Sequence, residues 1–155
     1  MRILGFDTSA KAASVALSEN RKLISEFYLD SGFTHSETVL PMAKAVLDSA
    51  RITPADVDLF AVNCGPGSFT GLRIGIAAVK ALGMSLGKPC AAVSTLEALA
   101  YRLANKVIKT KRSVKLEPMN PYERKVIHAA LHDHPKVMTR SEGQDPYRRV
   151  VIELK

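Results

Sequence analysis

From Leu72 to Leu86 the chain offers only Arg73, Lys80 and Ser85 as polar interruptions, and Gly75, Ala77, Ala78, Ala81 and Gly83 are small. A helix apolar on nearly every side must be covered on more than one side. Only about 100 residues surround it before the composition changes, so either a small domain encloses it or its second face meets a partner. The small residues favour the partner, because they let another element approach closely. Leu72, Ile76, Val79, Lys80 and Gly83 are the candidate interface residues.

The flanking segments place this helix in an α/β fold. Residues 2–9, 13–18 and 23–29 read as three strands with tight connections, an antiparallel meander. A helix over about 35–50 carries Val39, Ala43, Val46, Leu47 and Ala50 at helical spacing, and Pro41 should kink it or shorten its hydrogen-bonded part. Leu59–Val62 and Pro89–Val93 read as buried strands on either side of the apolar helix. The expected architecture is a mixed five-stranded sheet, an antiparallel meander plus parallel strands, covered by helices.

Charge divides the chain. Residues 1–105 hold ten Lys and Arg against nine Asp and Glu; residues 106–155 hold twelve against six. Nearly all of the net +7 therefore lies in the last fifty residues. This suggests a second module with a polyanion partner, or else a solvated basic surface. The module reads as a small α+β layer, a three-stranded sheet with two helices. A short strand at 114–116 precedes a helix opened by Asn120-Pro121-Tyr122-Glu123 and stopped by Pro135. Strands at 137–139 and 149–154 flank the turn Ser141–Pro146. Two cysteines, Cys64 and Cys90, without CxxC spacing give neither a disulfide framework nor a zinc site. No apolar run reaches the roughly 18–20 residues of a bilayer span. No signal segment opens the chain either, so a cytoplasmic location is expected.

Three constellations bear on chemistry. Gly65, Gly67 and Gly71 give GxGxxxG, one residue too long for a dinucleotide loop, and no Gly-Lys-Ser/Thr follows. A tight strand-to-helix turn and a phosphate cradle both fit. Asp7-Thr8-Ser9 can hold a metal–nucleotide, or merely satisfy its own turn; these are candidate vestigial nucleotide-binding residues. Arg124 and His128, four apart on one helix face, can hold successive phosphates or form an ordinary surface pair. Lys125, Arg140, Arg148 and Arg149 extend the charge, and Tyr122 or Tyr147 can stack a base. Nothing in the sequence singles out a nucleophile, a metal site or a cofactor.

Residues 1 to about 104 resemble the TsaB (YeaZ) family. The match runs through Met1–Ser9, His35-Ser-Glu-Thr-Val-Leu-Pro-Met42, Cys64-Gly-Pro-Gly-Ser-Phe-Thr-Gly-Leu-Arg-Ile-Gly75 and Val93-Ser-Thr-Leu-Glu97. The resemblance implies a single actin/Hsp70-like lobe and a non-catalytic partnership with TsaD in placing threonylcarbamoyl on tRNA adenosine. It also implies self-association or pairing with TsaD through the glycine-rich turn and the helix at 72–86. Residues from about 95 to 155 resemble the Jag-type Arg-x-x-x-His (R-three-H) domain, through Leu116–His128, Thr139-Arg-Ser-Glu-Gly143 and Arg148–Ile152. That family's signature pair falls on Arg124 and His128, which implies binding of single-stranded RNA or DNA. On this reading, neither the second lobe of the first family nor the companion KH domain of the second is expected within residues 1–155. The helix at about 94–107 satisfies both patterns. The expectation is a non-catalytic protein of two binding modules, 1–104 and 95–155. The alternatives are a recombined or designed chimera without physiological activity, and an ATPase or phosphotransferase using Asp7.

Overall fold

The structure, a computed structural model, describes all of residues 1–155, which divide into two units, Met1–Thr95 and Leu96–Lys155.

In the first unit, strands β1 (Arg2–Asp7), β2 (Ala13–Glu19) and β3 (Lys22–Leu29) are joined as the antiparallel meander, with alternate residues of β2 buried. Helix α1 (His35–Ser49) follows. Strand β4 (Leu59–Asn63), helix α2 (Phe69–Leu86) and strand β5 (Cys90–Val93) complete a sheet of order β3-β2-β1-β4-β5. β4 lies parallel to β1, with Leu4 opposite Phe60, and β5 lies parallel to β4. This is the mixed five-stranded sheet that the sequence predicts. Leu4, Phe6, Val15, Leu17, Phe60 and Val62 point from the strands into one core with Val39, Met42, Val46 and Leu47 of α1 and Val79 of α2. Pro41 sits inside α1 without ending it. The first turn is secured instead by Glu37, whose Oε2 accepts from Thr34 N (3.2 Å) and Thr34 Oγ1 (2.6 Å), a reciprocal cap.

Helix α2 begins three residues before Leu72, where its apolar pattern starts. The Ser68 hydroxyl accepts from Gly71 N (3.2 Å) as the cap, and Gly87, at φ +61°, closes the far end in the left-handed region where glycine is at ease. At eighteen residues the helix is long and apolar enough to cross a membrane by length and composition, which corrects the sequence count. Its buried residues are Gly71, Gly75, Val79 and Gly83. They recur every fourth residue, so they form one stripe, and that stripe faces the unit's own sheet.

The second unit contains α3 (Thr95–Thr110), β6 (Val114–Lys115), α4 (Pro121–Leu131), β7 (Val137–Glu142) and β8 (Arg149–Leu154). Its antiparallel sheet has the order β6-β8-β7, with Val114 and Thr139 on either side of Ile152. Residues 95–110 form one uninterrupted helix, and its Ala100, Ala104 and Val107 are buried with Ile127 and Leu131 of α4 and with Val137, Val150 and Ile152 of the sheet. β7 runs three residues beyond the expected 137–139, because Ser141 and Glu142 pair with Val150 and Arg149.

Candidate nucleic-acid interface and partner surface

The start of α4 sets which side chains of the second unit face inward. Asn120 Oδ1 accepts from Glu123 N (2.9 Å), and Glu123 Oε2 accepts from Asn120 N (3.1 Å). With Pro121 at the first helical position, this cap fixes the helix phase. Arg124, Ile127 and Leu131 turn inward, while Tyr122 and Lys125 stay exposed.

Arg124 is consequently buried, its side chain only 8% exposed. Its Nη1 donates to the Met119 carbonyl (2.7 Å) and to Asp145 Oδ1 (2.8 Å). One turn later, the half-buried His128 bonds Thr139 Oγ1 through Nδ1 (2.7 Å) and Ser141 Oγ through Nε2 (2.9 Å). Burial, and then the nearby cations Arg124 and Arg148, hold its pKa below the ordinary 6.5. The ring is therefore neutral at pH 7, donating through one nitrogen and accepting through the other. Both side chains expected to hold successive phosphates are therefore engaged by groups within the unit. The arginine ties the start of α4 to the 143–147 turn, and the histidine ties α4 to β7.

Arg140 is compensated as well. Its Nη1 donates to Glu142 (3.0 Å) and its Nε to Glu153 (3.4 Å), while Lys115 takes the other oxygen of Glu142 (2.8 Å). Two cations and two carboxylates thus cancel on this strip of sheet. Both contacts hold the Arg140 pKa above its ordinary value, and Lys115 and Arg140 hold that of Glu142 below its own. Lys125, Arg148 and Arg149 differ: none has a carboxylate within 4.0 Å. Of the six nucleic-acid candidates, these three keep a charge without a carboxylate partner.

In the first unit Thr8 is fully buried and its hydroxyl donates to the Gly71 carbonyl (2.7 Å). Asp7 Oδ1 accepts from Ser9 N (3.0 Å) and Ser9 Oγ (2.6 Å), and Ser68 N donates to Ser9 O (2.7 Å). The Asp7-Thr8-Ser9 turn is thereby spent on clamping the glycine-rich loop. A Cβ at Gly67 would strike Ser9, one at Gly71 the Thr8 carbonyl, and one at Gly75 the Thr8 hydroxyl. The glycines serve close packing of loop and helix on β1.

The α2 stripe also divides the candidate interface. Val79 is 1% exposed in the core, and a Cβ at Gly83 would collide with Cys90 Sγ. These two residues face the sheet and line no outer surface. Leu72, Ile76 and Lys80 do reach solvent, beside Phe69 and Met84, which are 73% and 83% exposed. Arg73 lies 5.3 Å above the Phe69 ring.

The partners of the signature pair escaped sequence reasoning. Asp145 stands 21 residues from Arg124, and Thr139 and Ser141 stand 11 and 13 from His128. No periodicity connects such positions. Arg140 and Glu142, two apart on one strand, were open to a period-two reading.

Comparison with known proteins gives two matches that overlap along the chain. Residues 31–113 match the family model for TsaD, tRNA N6-adenosine threonylcarbamoyltransferase, and residues 94–154 match that of the R-three-H domain. The TsaB tRNA threonylcarbamoyladenosine biosynthesis protein of Bacillus subtilis is 38% identical over 100 residues, 64% of this chain and 44% of that protein. The RNA-binding protein KhpB of Clostridium symbiosum is 62% identical over 61 residues, 39% of this chain and 28% of that one. Among solved structures, YeaZ from Pseudomonas aeruginosa superposes with a TM-score of 0.64 at 26% identity, covering 99% of this chain and 66% of its own. The chain thus spans less than half the length of either curated relative. Residues 94–113 fall within both family matches, so α3 lies where the two patterns overlap. With more than half of its residues under the first match, the chain belongs to the TsaD family, in the TsaB/YeaZ-like form, and carries an R-three-H domain at its C-terminal end.

Proposed function

We propose that this chain is a cytoplasmic, non-catalytic protein of two binding modules. The first is a scaffold lobe for the threonylcarbamoyladenosine machinery, meeting a TsaD-like protein or a second copy of itself through the outer face of α2. The second grips single-stranded nucleic acid. The observation that carries the reading is the placement of uncompensated charge. Unit 1 is near neutral, with nine Lys and Arg against eight Asp and Glu, whereas unit 2 has thirteen against seven. Lys125, Arg148 and Arg149 stand without acidic partners in unit 2. Lys125 and Arg148 are exposed and Arg149 is half-buried; cations without acidic partners bind phosphates by releasing counterions, without sequence selectivity of their own. The engagement of Thr8 and Ser9 in packing, with Asp7 Oδ1 held by Ser9, supports a scaffold rather than a phosphotransferase.

Fluorescence anisotropy with a short single-stranded RNA at low salt tests the nucleic-acid half. Binding is expected, weakened several-fold by Lys125→Ala combined with Arg148→Ala. Unchanged affinity in that variant would move the site elsewhere, and absence of binding by the unaltered chain would end the proposal for this module.

A further inference from the structure

The sheet of the first unit ends on β3, the outermost strand in the order β3-β2-β1-β4-β5. Its outward N–H and C=O groups therefore have no neighbouring strand. At eight residues β3 is the longest open edge in the chain; β5 has four, and β6 and β7, at the edges of the second sheet, have two and six. Edges of this length are usually blunted by lysine or proline. Between Leu23 and Leu29, however, only Glu26 is charged and proline is absent. Leu23, Ile24, Phe27 and Tyr28 are all exposed there, four of the thirteen exposed large apolar side chains of the molecule within six residues. Scattered singly such residues carry no message, but gathered on an unpaired edge they mark a contact surface.

A row of free main-chain groups accepts another strand, and the side chains decide whose. The pairing of β3 with β2 shifts between Leu17 and Ser18, which leaves Ile24 without an opposite residue. This bulge confines the regular edge to Ser25–Leu29. Antiparallel strands set outward-facing residues against outward-facing ones, so β3 meets a second β3 only in registers centred on a residue. A centre at Ser25 runs through the bulge. A centre at Glu26 opposes the two carboxylates, and one at Tyr28 sets each Glu26 against Asp30. A centre at Phe27 opposes no like charges. It places Ser25 opposite Leu29, Glu26 opposite Tyr28, and Phe27 opposite Phe27. Each Glu26 carboxylate can then accept the phenol O–H across from it, and the two phenyl rings form an aromatic pair on the other face.

We propose that β3 pairs antiparallel with β3 of a second copy of this chain, about a two-fold axis at Phe27. Two sheets of five strands then become one of ten, whose remaining edges are the short β5 strands. This surface is separate from the outer face of α2 and does not depend on the partner assigned to that face.

Sedimentation velocity of the full chain across the micromolar range should show a dimer, and position 28 tests the register by the sign of its charge. Tyr28→Glu sets carboxylates opposite one another twice and should weaken the dimer about tenfold, whereas Tyr28→Lys sets an ammonium opposite each Glu26 and should stay within about twofold. Tyr28 is 64% exposed, so both variants keep their fold, which a thermal melt verifies. A chain that stays monomeric would overturn the proposal and leave β3 to a strand of another protein. Equal weakening by both variants would overturn it too, since simple loss of apolar contact has no sign. Met84→Glu separates the two surfaces. A dimer that persists in that variant with the contrast at position 28 supports β3; one lost there and indifferent to charge at position 28 assigns association to α2 instead.

Discussion

Arg124 and His128 are the residues that spacing alone makes conspicuous, and both are held inside the fold. Removing Arg124 leaves the Met119 carbonyl without its donor and Asp145 without its cation. Since Asp145 is 58% exposed, water compensates part of that loss. Arg124→Ala should cost about 2 kcal/mol of stability, the range of a hydrogen bond to a charged group. Arg148→Ala, at an exposed position, should stay within about 0.5 kcal/mol. Urea melts of both variants check the contrast, and equal losses would contradict it. His128 predicts a pH effect. Its folded pKa lies below 6.5, so as pH falls below that value the unfolded chain takes up the proton first. Stability contributed by the neutral ring is complete above about pH 6.5 and declines below it. The melting temperature should drop between pH 7.5 and 5.5, and by less in His128→Gln; an identical drop in that variant would place the titration elsewhere. The Arg-x-x-x-His spacing was legible in the sequence. Its acceptors were not, because Thr139, Ser141 and Asp145 meet α4 only once β7 and its turn have folded back.

Among the elements, α2 shows both what a pattern reveals and where it fails. Its helical nature follows from composition, but a helix apolar all round gives no phase, so composition alone places Val79 and Gly83 on the outer face. The phase is fixed by distant close contacts, from Thr8 at the end of β1 and Cys90 at the start of β5. Gly75→Ala therefore sets two effects against each other: about 1 kcal/mol gained in helix propensity and the collision with the Thr8 hydroxyl. Overpacking costs about 1–3 kcal/mol, so the variant should be less stable, and a rise in melting temperature would show that α2 has room to shift. On the outer face, Met84→Glu, at a position 83% exposed, should leave the fold standing and weaken self-association or pairing with a TsaD-like protein. Light scattering and co-purification read the two outcomes; full pairing by the variant would take the interface away from this face. The strands and helices of both units were otherwise readable from alternation, caps and turn residues. The extension of β7 to Glu142 was not, since Ser141 and Glu142 resemble turn residues until β8 lies beside them.

For the whole molecule, the joining of a near-neutral unit to a basic one was visible from charge counts alone. Which cations remain available was not, because Arg140 and Lys115 share Glu142 across strands. If the chain binds rather than catalyses, purified protein should show no magnesium-dependent ATP turnover that Asp7→Ala abolishes; such turnover would reinstate the phosphotransferase alternative. The central claim is that Lys125, Arg148 and Arg149 carry the grip on a phosphate backbone. The measurement that reaches it most directly is the dependence of the dissociation constant for a single-stranded RNA on salt concentration, for the unaltered chain and for the variant with all three changed to alanine. Each phosphate contact on a single strand contributes about 0.7 to the logarithmic slope, so the slope should fall by about 2 in the triple variant. The same slope in both proteins would contradict the account.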